Sequence, residues 1–248
     1  MGLDEGIPGV RLVAVAQRNP DRMQSWLTAL KTPPRLMDID NLYEVADIVI
    51  ECAGAAVLER IAPDVLAAGK KLIVLSSGAL LNSPQVIALA NRHRGQVMVP
   101  SGAVGGLDII AAMAEEKIDQ LRLITTKPPS ALRNAAYLVE HRINLERLNS
   151  PVCVFSGSAR EAARHFPDNL NVAASLSLAG IGPDRTQVEL WADPHATVNR
   201  HEVKVEAASG TVTIQIAAVP SANPKTSALA AQSTLALLRK MHAPLCIG

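Results

Sequence analysis

Aromatic side chains and clustered charges are scarce in this sequence. Phe, Trp and Tyr occur only twice each in 248 residues, and the formal net charge at pH 7 is +1. The basic residues form no cluster along the chain. Because nucleic-acid binding needs a basic face or stacking rings, we predict no nucleic-acid partner.

The sequence also lacks cysteines at a metal-binding spacing. Cys52, Cys153 and Cys246 are far apart, and an odd number leaves one unpaired, which favours a reducing compartment. Asp193 and His195 are close in sequence, but no third ligand has a suitable spacing. We therefore predict no metal site.

No apolar run follows a basic start at the N-terminus, and no apolar stretch is long enough to span a bilayer. These absences predict a cytoplasmic protein without a membrane partner. With 48% apolar residues, the chain can bury a sizeable core, and its length suits one large or two small domains.

The chain is organised around residues 97–113, VMVPSGAVGGLDIIAAM. A short apolar run there is followed by a glycine-rich turn and then by an alanine-rich helical stretch. Strand, glycine turn and helix in this order are typical of an α/β nucleotide-binding sheet. We expect a ligand cleft at this turn, because the sequence changes character on its two sides.

Before the turn, apolar runs alternate with helical stretches. The runs predict strands at residues 11–16, 46–52, 71–75 and 97–99, and the intervening segments predict helices at 21–30, 57–68 and 80–92. Buried runs with intervening helices indicate parallel strands joined by right-handed crossovers.

After the turn, apolar and polar residues alternate, as in a half-buried antiparallel sheet. Strands are predicted at residues 119–126, 152–155, 187–191, 199–206 and 211–216, and helices at 158–165, 169–179 and 225–241. Residues 127–129 and 144–151 are predicted to be loops.

These patterns predict an α/β fold: a truncated Rossmann-type parallel domain, and a second α+β domain with a largely antiparallel sheet. The boundaries we expect are 1–102 for dinucleotide binding and 103–226 for the catalytic, substrate and dimerisation domain. A C-terminal helix at 227–248 is expected to pack back on the first domain.

A complete dinucleotide-binding unit opens with a strand, G-x-G-x-x-G and a helix that holds the pyrophosphate. This sequence has no such opening, and residues 11–16 correspond to the second strand of that unit. Gln17 and Arg18 stand where an acidic residue would hold the ribose of NAD. An arginine there suits the 2′-phosphate of NADP, although a solvated turn residue is an equal alternative.

Several long segments together resemble L-aspartate dehydrogenase. They are SGAVGGLD at 101–108, TTKPP at 125–129, GSAREAARHFPDNLNVAASLSLAG at 157–180, ELWADP and NRHEV within 189–203, and NPKTS at 223–227. The resemblance extends over nearly all of the chain from about residue 10. Family members begin with the strand and glycine-rich loop that this sequence lacks. A late gene start, a cut chain and lost cofactor binding are the three explanations.

The resemblance implies oxidation of L-aspartate with NAD or NADP. Iminoaspartate would form and give oxaloacetate and ammonia, or enter NAD synthesis. His201 would be the catalytic residue, and Ala103 and Asn171 would contact the nicotinamide cofactor. Independently of the resemblance, the half-polar antiparallel sheet could face water or a second subunit, and we expect a homodimer formed through that sheet. The alternatives are a dihydrodipicolinate-type or homoserine-type reductase and a non-catalytic oligomeric remnant, in which an unpaired strand invites association.

The residues themselves support a buried position for His201. In the predicted strand 199–206, Asn199, His201, Val203 and Val205 share one face because side chains alternate. An imidazole at the rim of a buried face can titrate near neutrality. From the pattern alone, a core histidine bound to a backbone carbonyl is the commoner outcome; the resemblance favours catalysis.

The other proposed site residues also have ordinary alternatives. Ala103 would let a flat ring approach between glycines, or simply occupy a turn. Asn171 would bind a carboxamide or a ribose hydroxyl, or else cap the helix, a role that Asp168 and Asn169 also suit; Asn169 is the better cap and Asn171 the better ligand. Lys127, Arg133 and Lys225 are candidates for binding the substrate carboxylates, but none is assigned as a site residue.

Overall fold

The computed structural model describes residues 3, 6–19, 21–133, 135–146, 148–167, 171–219 and 227–247, without the side chains of 21, 22, 24 and 25. The chain divides into two compact units. Unit 1 comprises Met1–Ser76, Ser83–Pro100 and Thr234–Gly248; unit 2 comprises Ser77–Asn82 and Ser101–Ser233.

The strands are β1 (Ala14–Val15), β2 (Arg35–Leu36), β3 (Ile48–Glu51), β4 (Lys71–Val74), β5 (Gln96–Met98), β6 (Ile118–Lys127), β7 (Val152–Ser158), β8 (Gln187–Ala192), β9 (Asn199–Ala207) and β10 (Gly210–Ala218). The helices are α1 (Asp21–Thr28), α2 (Leu42–Val45), α3 (Ala55–Ala67), α4 (Ser77–Leu80), α5 (Pro84–His93), α6 (Leu107–Met113), α7 (Pro129–Leu132), α8 (Ala136–Glu140), α9 (Ala159–His165), α10 (Asn171–Ala179) and α11 (Ala228–Lys240). A 3-10 turn spans Ile39–Asn41.

Unit 1 contains two small parallel sheets. Strands β3, β4 and β5 pair in that order, and β1 pairs with β2. The central strand β4 buries Leu72, Ile73 and Val74 completely, as expected for a parallel sheet covered on both faces. The second half of α11 adds Leu238 to a cluster with Ile7 and Ile73.

A cavity of about 480 Å³ in unit 1 is lined by β1, β3 and the residues around them. Within the described part of the chain, β1 pairs only with β2, and β3 only with β4. The predicted strand 11–16 therefore forms only the short β1, whose partner β2 was not predicted. The carboxylate of Glu51, which is 2% exposed, ends β3 at this cavity.

Unit 2 is built on a five-stranded sheet with the order β10-β9-β6-β8-β7. Only β6 and β8 run parallel; the remaining neighbours are antiparallel. This arrangement confirms the fold class of parallel sheets plus a largely antiparallel sheet. The alternation of buried and exposed residues along β9 gives the sheet one inner face.

Helices α6, α9 and α10 contribute to the core on this inner face. Ile110 of α6, Leu176 of α10 and Phe166, which follows α9, join Leu123 and Val203 in one apolar cluster. Helix α9 begins at a capping box, in which Ser158 and Glu161 satisfy each other's backbone N–H groups. The predicted helix 158–165 is therefore present, with Ser158 as its N-cap.

Three predictions need correction or limitation. The single helix predicted at 80–92 is divided into α4 and α5, because Pro84 lacks an N–H group and suits the first turn of a new helix. Residues 127–129 are not a loop throughout: Lys127 ends β6, and α7 starts at Pro129. The predicted final helix begins within 220–226, outside the described residues.

No helix among the described residues is both long and apolar enough to cross a membrane. The functional roles predicted for 1–102, 103–226 and 227–248 stay predictions.

Candidate active site

The inner face of the unit 2 sheet changes from apolar to polar along β6 and β9. On β6, Leu121 and Leu123 are followed by Thr125 and Lys127. Antiparallel β9 reaches the same end of the sheet with His201, which pairs in register with Thr125. The result is a buried polar end on an otherwise apolar face.

His201 and Thr125 form a direct hydrogen bond at this polar end. Nδ1 of the imidazole lies 3.1 Å from Oγ1 of Thr125, and the two residues are 5% and 0% exposed. If the histidine proton is on Nδ1, it is donated to Thr125 and Nε2 is the lone-pair site; in the other tautomer the threonine hydroxyl donates. Either tautomer is held in one orientation by the pair.

Burial and a neighbouring cation both affect the pKa of His201. Burial is the larger cause and the positive charge of Lys127 the smaller one, and together they lower this pKa to about 4. Removing water from around a cation disfavours the charged form, as does a like charge nearby. The imidazole is therefore neutral at pH 7, and in the tautomer protonated at Nδ1 the basic lone pair of Nε2 is available.

Lys127 is the charged member of the polar end. It is 3% exposed, and burial lowers its pKa to about 8. Sequence reasoning named Lys127 as a carboxylate-binding candidate but placed it in a loop. The two-residue spacing that links Lys127 to Leu121, Leu123 and Thr125 could have assigned Lys127 to the inner face.

The glycine-rich turn lies against β10, the strand beside His201. Gly106 has φ +73°, and a Cβ there would lie 2.2 Å from Cδ1 of Ile214. The neighbouring residue on the same face of β10, Ile216, pairs in register with His201. Only glycine permits this close approach and this left-handed backbone together, so the turn is held close to the polar end of the sheet.

Ala103 lies inside this turn and is 8% exposed. Gly102 before it has φ +63°, with open space where a side chain would project. The N–H of Gly102 donates to Oγ of Ser233 at 3.0 Å. A small buried residue next to open space fits a flat ring approaching the backbone, as the sequence predicted for a nicotinamide.

Asn171, the first residue of α10, is bound to the turn at α4. Its Oδ1 accepts the N–H of Gly78 at 3.0 Å, and its backbone oxygen accepts the hydroxyl of Ser77 at 3.0 Å. Among the described residues, no hydrogen bond joins Asn171 to His201. Since Oδ1 is occupied, the amide nitrogen is the group that Asn171 can offer to a ligand. The predicted cap Asn169 lies outside the described residues.

The carboxylate of Glu51 holds two loops of unit 1. Its oxygens accept the N–H groups of Ala53, Gly54 and Ser76 and the hydroxyl of Ser76, at 2.7–3.2 Å. These bonds fix the segments that follow β3 and β4, the edge where doubly wound sheets bind ligands. Glu51 is thus a loop-positioning residue, which spacing alone did not indicate.

The other candidate residues are exposed, engaged in a turn, or outside the described residues. Gln17, Arg18 and Arg133 are exposed, and Lys225 is not described. Oδ1 of Asp193 accepts the backbone N–H of His195 at 2.8 Å in a tight turn. The described residues contain no group of three or more His, Cys, Asp and Glu side chains able to hold a metal ion.

Comparison with known proteins follows the division into two units. The family model described as aspartate dehydrogenase, C-terminal, matches residues 108–241, and that described as homoserine dehydrogenase, NAD binding domain, matches residues 3–100. The solved aspartate dehydrogenase from Thermotoga maritima has a TM-score of 0.75 at 24% identity, covering 97% of this chain and 92% of that one. This likeness supports the fold.

Curated relatives are closer in sequence. L-aspartate dehydrogenase 3 of Bordetella bronchiseptica is 46% identical over 242 residues, covering 98% of this chain and 89% of the relative. L-aspartate dehydrogenase of Bradyrhizobium diazoefficiens is 45% identical over 246 residues, covering 99% and 88%. At this identity and coverage the two chains share a family with the present one.

Proposed function

Because this chain belongs to the L-aspartate dehydrogenase family, we propose that it oxidises L-aspartate with NAD or NADP as hydride acceptor. The family resemblance seen in the sequence is confirmed by the relatives. The structural observation that carries the proposal is the buried His201–Thr125 pair at the polar end of the inner face. A neutral, oriented imidazole is the group that deprotonation of an amine or of water requires.

The nicotinamide, when bound, accepts the hydride from the α-carbon of aspartate. His201 takes a proton from the substrate amine as the C–N single bond becomes the C=N double bond of iminoaspartate. After releasing that proton to solvent, the imidazole takes a proton from the water that adds to the imine carbon of iminoaspartate and returns it to the nitrogen, so that ammonia can leave. Loss of ammonia leaves oxaloacetate, so that aspartate, water and oxidised cofactor give oxaloacetate, ammonium, reduced cofactor and one proton.

Thr125 and the surrounding core prepare His201 for this role. Thr125 fixes the ring orientation, so little reorganisation is needed when the substrate arrives. The apolar residues next to the pair exclude water, and the pKa of about 4 keeps the imidazole in its basic form. A catalytic base with this pKa becomes stronger if substrate charge offsets that of Lys127.

Cofactor contacts are assigned to three positions. Ala103, beside the open space at Gly102, would pack against the nicotinamide, and the amide nitrogen of Asn171 would donate to its carboxamide or ribose. Arg18, exposed three residues after β1, would bind the 2′-phosphate of NADP. The small side chain of Ala103 and the open space at Gly102 fit the nicotinamide half of the cofactor.

The cellular setting belongs to the same proposal. The reaction would supply iminoaspartate to NAD biosynthesis or serve aspartate metabolism in the cytoplasm. A homodimer would form through the largely antiparallel sheet, whose strand β10 is at its edge. Light scattering of the purified protein tests the dimer.

The activity assay uses purified protein, L-aspartate and either NAD⁺ or NADP⁺, and follows the absorbance of reduced nicotinamide. We expect aspartate-selective reduction of at least one cofactor. A panel with homoserine, and with dihydrodipicolinate in the reductive direction, tests the related reductases. Absence of turnover on aspartate, together with no heat of NAD⁺ or NADP⁺ binding by calorimetry, would favour the non-catalytic alternative.

A further inference from the structure

Building on the proposed function, we propose that Lys127 binds one carboxylate of a four-carbon dicarboxylate substrate at the polar end of the inner face. The three residues Thr125, Lys127 and His201 would then form one substrate site in unit 2. His201 would face the reacting carbon, and Lys127 would hold a carboxylate of the same molecule.

Strand geometry places Lys127 within reach of the same small ligand as His201. Lys127 follows Thr125 by two residues on β6, so both side chains are on the inner face, where both are buried. Thr125 is directly opposite His201 on β9, which makes Lys127 a diagonal neighbour of His201. Diagonal neighbours are separated by about 7–8 Å between Cα atoms, and long side chains bridge that gap. A four-carbon dicarboxylate is of comparable size.

The charge pattern of this face favours an anion. Lys127 supplies the cationic group among the polar residues of this end, since Thr125 and Asn199 carry no charge and His201 is neutral at pH 7. Asp193, whose N–H donates to the backbone oxygen of Lys127, has its Oδ1 engaged with the N–H of His195. A carboxylate is the group in the substrate that complements a buried ammonium.

Stability alone does not explain a lysine at this position. Leu121 and Leu123 precede it on the same face of β6 and are fully buried, and an apolar residue would continue that pattern. Burying an ammonium group disfavours folding, and its lowered pKa of about 8 reflects that penalty. A charged side chain buried in this way, with a lowered pKa, is typical of functional sites.

The direct test is calorimetric titration of succinate, a dicarboxylate that lacks the amine and cannot react. Wild-type protein, Lys127→Met and the control Lys117→Met are compared at pH 7 with saturating NADP⁺ and without it. Lys117 precedes β6, and its side chain is 79% exposed, so the control makes the same change in charge at the surface. We expect succinate binding to weaken about tenfold or more in K127M and less than about twofold in K117M.

Urea unfolding accompanies the titration as a measure of folding. We expect K127M to unfold in a cooperative transition, which shows that the titrated variant is folded. If K127M does not fold, Lys127→Gln keeps a polar head without the charge and replaces it in the titration. Equal succinate affinity in wild type and in the folded variant would overturn the proposal, as would the absence of succinate binding by wild type.

The kinetic readout separates binding from general damage. For L-aspartate we expect K127M to raise KM by about tenfold or more, whereas a purely structural role would leave KM unchanged. Failure of the aspartate assay with wild type, combined with succinate binding that depends on Lys127, would contradict the proposed activity and leave the dicarboxylate site in place.

Discussion

Nδ1 of His201 lies 3.1 Å from Oγ1 of Thr125, across the paired strands β6 and β9. The two residues are 76 positions apart in sequence, and both are buried at the polar end of the inner face. The pair fixes the ring of His201 and leaves Nε2 for chemistry. The proposed mechanism depends on this relationship.

Replacement of His201 by Ala should lower kcat for aspartate oxidation by about 10²-fold or more, because acid–base assistance is worth that much. His195→Ala is the matched control, since His195 is exposed in the same unit. Steady-state kinetics with both variants, combined with thermal unfolding, checks the prediction. Near-normal turnover in folded H201A would remove the catalytic assignment.

Thr125→Val should lower kcat by about fivefold, as expected from the loss of a hydrogen bond worth about 1 kcal/mol. The side-chain volume is nearly unchanged, so the apolar core beside it should remain packed. Thr125→Ser restores the hydroxyl and should recover most of the activity. If Ser and Val variants are equally slow, the hydroxyl does not position His201.

Protonation of His201 should make the protein less stable in acid. The pKa of His201 is about 4 in the folded protein, whereas the ordinary value is 6.5. Between these two pH values the unfolded chain therefore binds more protons than the folded protein. Stability therefore falls as the pH drops from 6.5 towards 4, by about 3 kcal/mol in all.

Urea unfolding of wild type and His201→Asn across this pH range measures the effect. The free energy of unfolding of wild type should fall relative to that of H201N as the pH drops from 6.5 towards 4. A constant difference from pH 4 to pH 7 would show that His201 titrates normally in the folded protein.

Gly106→Ala should destabilise unit 2 through two effects. The left-handed backbone costs about 1–2 kcal/mol for a residue with a Cβ, and the added Cβ overlaps Cδ1 of Ile214. Gly182→Ala is the control, because Gly182 has φ +83° and open space around its Cβ position.

Ile214→Val removes Cδ1 and should relieve the second effect only. In a double-mutant cycle, G106A combined with I214V should cost less than the sum of the two single changes. Urea unfolding gives all the free energies needed. Strict additivity would mean that the turn moves away from β10 when a side chain is added.

Arg18→Glu should weaken NADP⁺ binding by about tenfold or more and change NAD⁺ binding little, because only NADP carries the 2′-phosphate. Arg92→Glu is the control, as Arg92 is exposed on α5 of unit 1. Calorimetric titration with the two cofactors checks the prediction. Equal losses for NADP⁺ and NAD⁺ would indicate that Arg18 does not contact the phosphate.

The sequence by itself determined most of the longer elements and which side chains of β9 face inward. Alternation of apolar and polar residues was sufficient to place His201 on the same face as Val203 and Val205, since strand side chains have a period of two. Apolar runs with intervening helices were sufficient for the parallel strands β3, β4 and β5. The long ordered segments also carried the family resemblance.

Only the tertiary structure decided which distant residues meet. Pairing of β6 with β9 brings Thr125 and Lys127 to His201, and no local pattern specifies the register of strands this far apart. The same holds for Asn171, whose partners Ser77 and Gly78 are on another element. Element formation depends on neighbouring residues, whereas a binding site depends on long-range packing, and for this reason the sequence named His201 but not its partners.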